Sequence, residues 1–218
     1  MSLRTTLHVY LGKHERALGR LVFAKDGARE FSQFAYSDDW LTDPLRFDVS
    51  PDLGLHSGYQ LRKAPTPQDS CFFGALADTE PDAWGRRVIA RAHAKRRASQ
   101  PNLAPLTAMD YLAAVDDLSR VGALRLRNEA GEFVRSTPPG ERSTPTLLEL
   151  DKVLQASRAV ELSQETTEDL AYLQGKGTSL GGMRPKCTLL DTDGGLALGK
   201  FPSVGDERAV TRGEVLAL

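Results

Sequence analysis

Little in the chain would cross-link it or anchor it in lipid. Its only cysteines are Cys71 and Cys187, too few for a disulfide framework and without metal-ligand spacing, which points to a reducing compartment. No apolar run approaches the length that spans a bilayer, and the first residues lack the charged and apolar regions of a secretory leader. A cytoplasmic protein with no membrane partner is therefore expected. An excess of one charge is missing too. The 28 Lys and Arg stand against 29 Asp and Glu, for a net charge of −1, so nucleic acid or an anionic surface would be met only through a local patch. His8, His14, His56 and His93 fall in no HxxxH or carboxylate-paired spacing, and no metal site is expected of them. No internal repeat or low-complexity tract is present.

What is present suits globular folding: 218 residues with 40% apolar content can fill one large or two small cores. Alternation over 5–11, 18–23 and 29–36, with Lys25-Asp26-Gly27 as a turn, predicts a small antiparallel sheet. From 38 to 67 the chain is dense in Pro, Gly and Asp, with Trp40, Leu45, Phe47 and Tyr59 as isolated apolar anchors, and long connections are expected. Phe72 to Leu76 is a compact apolar cluster. After it, Asp78-Thr79-Glu80-Pro81 can cap a helix over 82–97, with Trp84, Val88, Ile89 and Ala92 as its buried stripe.

The opposite side of that helix carries Arg87, Arg91 and Lys95 at four-residue steps, and no acidic residue occurs from 83 to 97. Such a stripe is a candidate nucleic-acid contact. The plainer reading is a helix face neutralised by acidic neighbours elsewhere, and aromatic interleaving for base stacking is absent. A short helix over 109–118, with Tyr111, Leu112 and Val115 inward, and a strand over 121–127 follow. The Pro138-Pro139-Gly140 region reads as a boundary, giving domains 1–135 and 136–218. In the second, Thr146 and Glu149 are spaced for a capping box ahead of a helix with Leu147, Leu150 and Leu154 on its apolar face. Another helix is expected over 166–174.

The segment with most chemistry is GKGTSLGGMRPKCTLLDTDGGLALGK, residues 175–200. Glycines let main-chain N–H groups converge on an anion, while Arg184 and Lys186 bring positive charge. On sequence alone such a loop is more often an ordinary helix-to-strand connection. Two strands, 186–190 and 196–201, are predicted to pair through the turn 191–195, with Leu196, Leu198 and Lys200 on one face. Lys200 can reach solvent by its stem, or meet a phosphate or a carboxylate. A last helix over 207–218 would place Glu214 in an apolar stripe between Val210 and Leu218, where it could pair with Lys200.

The run SLGGMRPK over 179–186, then GKFPS over 199–203, resembles the HipA family of toxin kinases. Phe34-Ala35-Tyr36 to Trp40-Leu41, Phe72-Phe73-Gly74-Ala75-Leu76 to Asp82-Ala83-Trp84-Gly85-Arg86-Arg87, and Val121-Gly122-Ala123-Leu124 agree in the same order. The resemblance implies an α+β fold: an amino-terminal small antiparallel sheet with helices, then the start of a kinase-like N-lobe with helices, a β-hairpin and a following helix. It implies an ATP- and Mg²⁺-dependent serine/threonine protein kinase that phosphorylates an aminoacyl-tRNA synthetase type of protein. A HipB-like helix-turn-helix antitoxin would restrain it, and operator DNA would be met through that complex. By position, Ser179 matches the autophosphorylated serine. Gly181, Gly182, Met183, Arg184, Pro185 and Lys186 match the ATP-binding loop, and Lys200 the nucleotide-binding lysine. The family's catalytic and Mg²⁺-binding aspartates lie further along, so residues 1–218 are expected to be the amino-terminal part of such a kinase, without turnover. Two other readings stay open: a non-catalytic module that docks an antitoxin or DNA-bound partner, and a small-molecule kinase sharing the phosphate loop.

Overall fold

The structure, a computed structural model, describes residues 3–66, 68–136, 144–176 and 182–217, the side chains of 148, 175–176 and 214–217 excepted. It is an α+β fold with a five-stranded antiparallel sheet, a separate two-stranded hairpin and several helices. By internal contacts it divides into two units, Met1–Glu80 with Thr107–Ser136, and Pro81–Leu106 with Thr137–Leu218. The basic helix, expected within 1–135, makes its contacts in the second unit.

In the first unit, β1 (Leu3–Leu11), β2 (Arg16–Asp26) and β3 (Arg29–Tyr36) form the predicted meander. The β2–β3 connection is the two-residue Gly27-Ala28, with Asp26 opposite Arg29. Gly27 has φ +58, the left-handed conformation such a tight hairpin requires and glycine supplies without a Cβ penalty. β4 (Gln60–Lys63) and β5 (Leu124–Arg127) complete the sheet in the order β4-β3-β2-β1-β5. Period-two alternation turns Leu7, Val9, Leu21, Phe23, Phe34 and Leu126 inward. Against that face pack Trp40 from α1 (Asp38–Thr42), Leu76 from α2 (Gly74–Ala77), and Met109 and Leu112 from α4 (Ala108–Ala113). Of the anchors expected in the 38–67 segment only Trp40 is buried. Leu45, Phe47 and Tyr59 are exposed, and Phe47 lies edge-on to Trp40 at 5.3 Å.

The second unit is built on three helices, α3 (Ala83–Ser99), α5 (Leu150–Leu162) and α6 (Thr167–Lys176). Trp84, Val88 and Ala92 of α3 meet Val153, Ala156 and Val160 of α5 and Leu170 and Leu173 of α6. Each such side chain, fully buried, contributes on the order of 1.5–3 kcal/mol. The capping box at Thr146 and Glu149 forms as expected, but it opens a 3₁₀ turn, Leu147–Glu149, before α5 begins. Leu147 falls on that turn and is exposed, while Leu150 and Leu154 pack, partly buried, against the core that Val153, Ala156 and Val160 fill. The hairpin β6 (Lys186–Leu190) and β7 (Leu196–Lys200) lays Cys187, Leu189 and Ala197 against the same core, and α7 (Val210–Ala217) follows. Burial pushes the Cys187 thiol up to about 12, so the group is an inert core residue.

Candidate functional site: the glycine loop and the paired lysines

α3 starts at Asp82, not within Asp78–Pro81: the Asp82 carboxylate accepts the Gly85 N–H at 2.7 Å and closes the first turn. The glycine loop rests on that turn. Trp84 N–H donates to Gly182 O at 3.2 Å. Gly182 has φ +102, and a Cβ there would stand 2.9 Å from Lys186 Nζ. Any other residue would be strained in the backbone and would meet the lysine head.

Lys186 is buried, and its Nζ lies 3.7 Å from Asp82 Oδ2, the two side chains 8% and 6% exposed. At that length the contact is an ion pair longer than a hydrogen bond, and Asp82 Oδ2 has no hydrogen-bond partner. Burial pushes the Asp82 carboxyl up, and the Gly85 N–H and the Lys186 charge only partly oppose it. Across the hairpin Lys186 stands directly opposite Lys200. Such partners have Cα atoms ~4.5–5.5 Å apart and share one face of the sheet. Lys200 is exposed, as are Leu196 and Leu198 on the same face. Thr188, between the lysine and the turn, is buried with its hydroxyl unpartnered.

The other loop residues divide. Arg184 is held by Asp206 through two contacts, Nη1 to Oδ2 at 2.6 Å and Nη2 to Oδ1 at 2.5 Å. The Arg184 hydrogen bond, with the Ser203 N–H, keeps the Asp206 carboxyl below its usual range. Pro185 is buried and Met183 is 82% exposed. Ser179 and Gly181 lie outside the described residues, and so does the Glu214 side chain, hence the expected Lys200–Glu214 pair.

The basic stripe of α3 is engaged within its own unit. Arg87 Nη2 donates to Val160 O at 3.3 Å and Glu161 O at 3.4 Å. Arg91 holds the Glu165 carboxylate at 2.9 and 3.0 Å and the Ser163 hydroxyl at 2.8 Å, and Lys95 reaches Glu165 O. These cations gather at the carboxyl end of α5, where helix carbonyls lack partners and the dipole is negative. Ser163, with φ +60, is the left-handed cap there. The three cations of the stripe are thus engaged with the carboxyl end of α5 and the turn after it. Glu161 in turn accepts the Ser203 hydroxyl at 2.5 Å and the Val204 N–H at 3.0 Å.

Asp82, Glu161, Glu165 and Asp206 were not foreseen as partners of these cations. Asp82 had a local signal, an acidic residue just ahead of an acid-free helix; the others lie far from their cations in sequence. Among the described residues no helix is long and apolar enough to cross a membrane, and no group of three or more His, Cys, Asp or Glu could hold a metal ion. The chain matches no protein-family model and no curated protein.

Proposed function

We propose that the loop and hairpin over 182–200 form the phosphate grip of an ATP-dependent serine/threonine protein kinase of the HipA type. The observation that carries this reading is the Lys186–Lys200 pairing. Like charges directly opposite in a sheet are unfavourable, and the carboxylate that faces Lys186, at 3.7 Å, stands beyond hydrogen-bond length. An anion between the two ammonium groups converts that repulsion into attraction. A triphosphate supplies that anion, with its oxygens taking hydrogen bonds from Lys186 and from loop N–H groups while Lys200 closes over it.

Asp82 then has a second role: it orients the Lys186 ammonium before nucleotide arrives and can be displaced by phosphate. The resemblance adds the rest of the proposal: Ser179 as an autophosphorylated residue, a protein of the translation machinery as substrate, and a helix-turn-helix antitoxin as partner. No residue of the chain is assigned to Mg²⁺.

Isothermal titration of the chain with ATP and with adenosine tests the grip. Binding of ATP but not adenosine, weakened about tenfold by Lys200→Ala and more by Lys186→Met, is expected from the loss of charge-assisted hydrogen bonds. Equal affinity in both variants, or no difference between ATP and adenosine, would refute it.

A further inference from the structure

The five-stranded sheet of the first unit packs its core against one face only, and the outward positions of its strands carry a consistent chemistry. Interstrand register aligns them in rows. Ala35, Arg20, His8 and Arg127 form one row across β3, β2, β1 and β5. Lys63, Phe31, Ala24 and Arg4 form another across β4, β3, β2 and β1. The rows are four residues apart along β1, ~13 Å at the usual strand rise. Between them runs an uncharged row, Leu61, Gln33, Val22 and Thr6.

Cations dominate this face: Arg4, Arg20, Arg29, Lys63, Arg125 and Arg127 stand outward, against Asp26 as the one outward carboxylate on the strands. Arg125 and Arg127 are held by Glu15, and Arg125 also by Asp117. Arg4, Arg20, Arg29 and Lys63 make no ion pair with a described residue. Two concavities open beside these residues. One, of about 280 Å³, has His8, Tyr10, Arg20, Asp38 and Tyr59 in its lining beside the small Ala17 and Ala35. The other, of about 740 Å³, is lined by Arg29, Phe31, Gln33, Leu61 and Lys63 together with the carboxylates Asp26 and Glu30, the latter paired with Lys25. Tyr59 and Leu61 are 51% and 52% exposed.

We propose that this open sheet face binds single-stranded nucleic acid. The combination selects the ligand. A polyanionic backbone satisfies the cation rows. Unpaired bases can stack on Tyr10, Tyr59 and Phe31 and enter the hollow that Ala17 and Ala35 help to line. Asp38 is placed to accept from an exocyclic amino group and to turn phosphates toward Arg20. Duplex offers the same charge, but its bases face inward. An acidic peptide offers charge with no π-face. The face has room for roughly two or three nucleotides, as on other sheet platforms.

Fluorescence anisotropy of the chain with short labelled oligouridylate and oligothymidylate tests this, with a duplex of equal length and a polyglutamate peptide as competitors. Single strands are expected to bind at least about tenfold more tightly than either competitor, with affinity falling steeply as salt rises. Arg20→Glu with Lys63→Glu should weaken binding by about 10- to 100-fold. Tyr59→Ala, an exposed change that leaves the core intact, should cost about tenfold. Arg97→Glu, exposed on α3, should change nothing. Duplex or polyglutamate binding as tight as single strand, Tyr59→Ala without effect, or no binding at low salt would each overturn the proposal. A preference between the two oligonucleotides decides whether RNA or DNA is the ligand.

Discussion

Arg120 in the first unit and Lys186 in the second are both buried cations, and the two sites neutralise them by different means. Arg120 is 7% exposed and surrounded by neutral acceptors: Nη1 donates to Thr79 O and Oγ1, each at 3.3 Å, and Nη2 to Leu112 O at 3.1 Å and Val115 O at 2.8 Å. Burial lowers its pKa to about 10, with Asp117 and Asp116 opposing. A guanidinium whose two Nη groups are taken up by three main-chain carbonyls and a hydroxyl ties a loop, a helix end and a turn together, with only its Nε left unpartnered. Lys186 instead faces one carboxylate at 3.7 Å, on a hairpin that sets a second lysine opposite it. The difference separates a cation satisfied by the fold from one for which a ligand is proposed.

The contrast is tested most severely at Arg120. Arg120→Met leaves the carbonyls of Leu112 and Val115 and the Thr79 hydroxyl without their donor. Such a change should cost about 3–5 kcal/mol in urea unfolding. Lys186→Met should cost less, about 1–2 kcal/mol, because Asp82 already has a raised pKa and can take up a proton. If the two variants unfolded at the same urea concentration, the distinction between the sites would be lost.

Next in size is Asp82→Asn. The amide still caps α3 through Gly85 N–H but no longer opposes the Lys186 charge. Stability is expected to fall by about 1–2 kcal/mol as a buried cation loses its partner, while ATP affinity rises several-fold because phosphate no longer competes with a carboxylate. A variant that lost both stability and ATP binding would mean that Asp82 positions the loop and nothing more.

Local patterns in the sequence specify much of this architecture. The β1–β3 meander, the hairpin over 186–200 and the stripe of α3 follow from period-two or helical alternation bounded by turn residues. What could not be read is where a cation points. Arg91 and Glu165 are 74 positions apart, and nothing local to either announces the other. A continuous helix from 145 would bury Leu147; the 3₁₀ turn leaves it exposed, while Leu150 and Leu154 still pack against the core. At the loop, the glycines and lysines themselves are plain in the sequence. The carboxylate that faces Lys186 comes from another part of the chain, at the start of α3.

The Arg91–Glu165 contact tests how far the basic stripe contributes to the fold. Burial would raise the Glu165 carboxyl, but the Arg91 hydrogen bond and charge outweigh it, so the group titrates below its ordinary value of 4.5. A carboxylate with a depressed folded pKa stabilises above its ordinary value, and that contribution is lost as pH falls through the folded pKa. Glu165→Gln should therefore cost about 1 kcal/mol at neutral pH. The gap from wild type should close as the pH is lowered through the acid range below 4.5. A gap independent of pH would show that the ion pair contributes nothing and that Arg91 acts by packing alone.

The smallest stability effect is expected at Lys200, where it separates the recognition site most cleanly from the fold. Lys200 is exposed at the end of β7, opposite Lys186, so Lys200→Ala removes a like-charge opposition together with the interactions its own side chain makes. These contributions have opposite signs, and the net should stay within about 0.5 kcal/mol. Thermal unfolding without ligand should barely move. With saturating ATP the wild type gains stability by mass action, and Lys200→Ala should gain less, by about 1.4 kcal/mol for each tenfold loss of affinity. An unchanged apo transition with a reduced ATP-induced shift is the signature of a residue whose role lies in ligand binding. A reduced apo transition with an undiminished shift would return Lys200 to the fold and leave Lys186 alone at the phosphate.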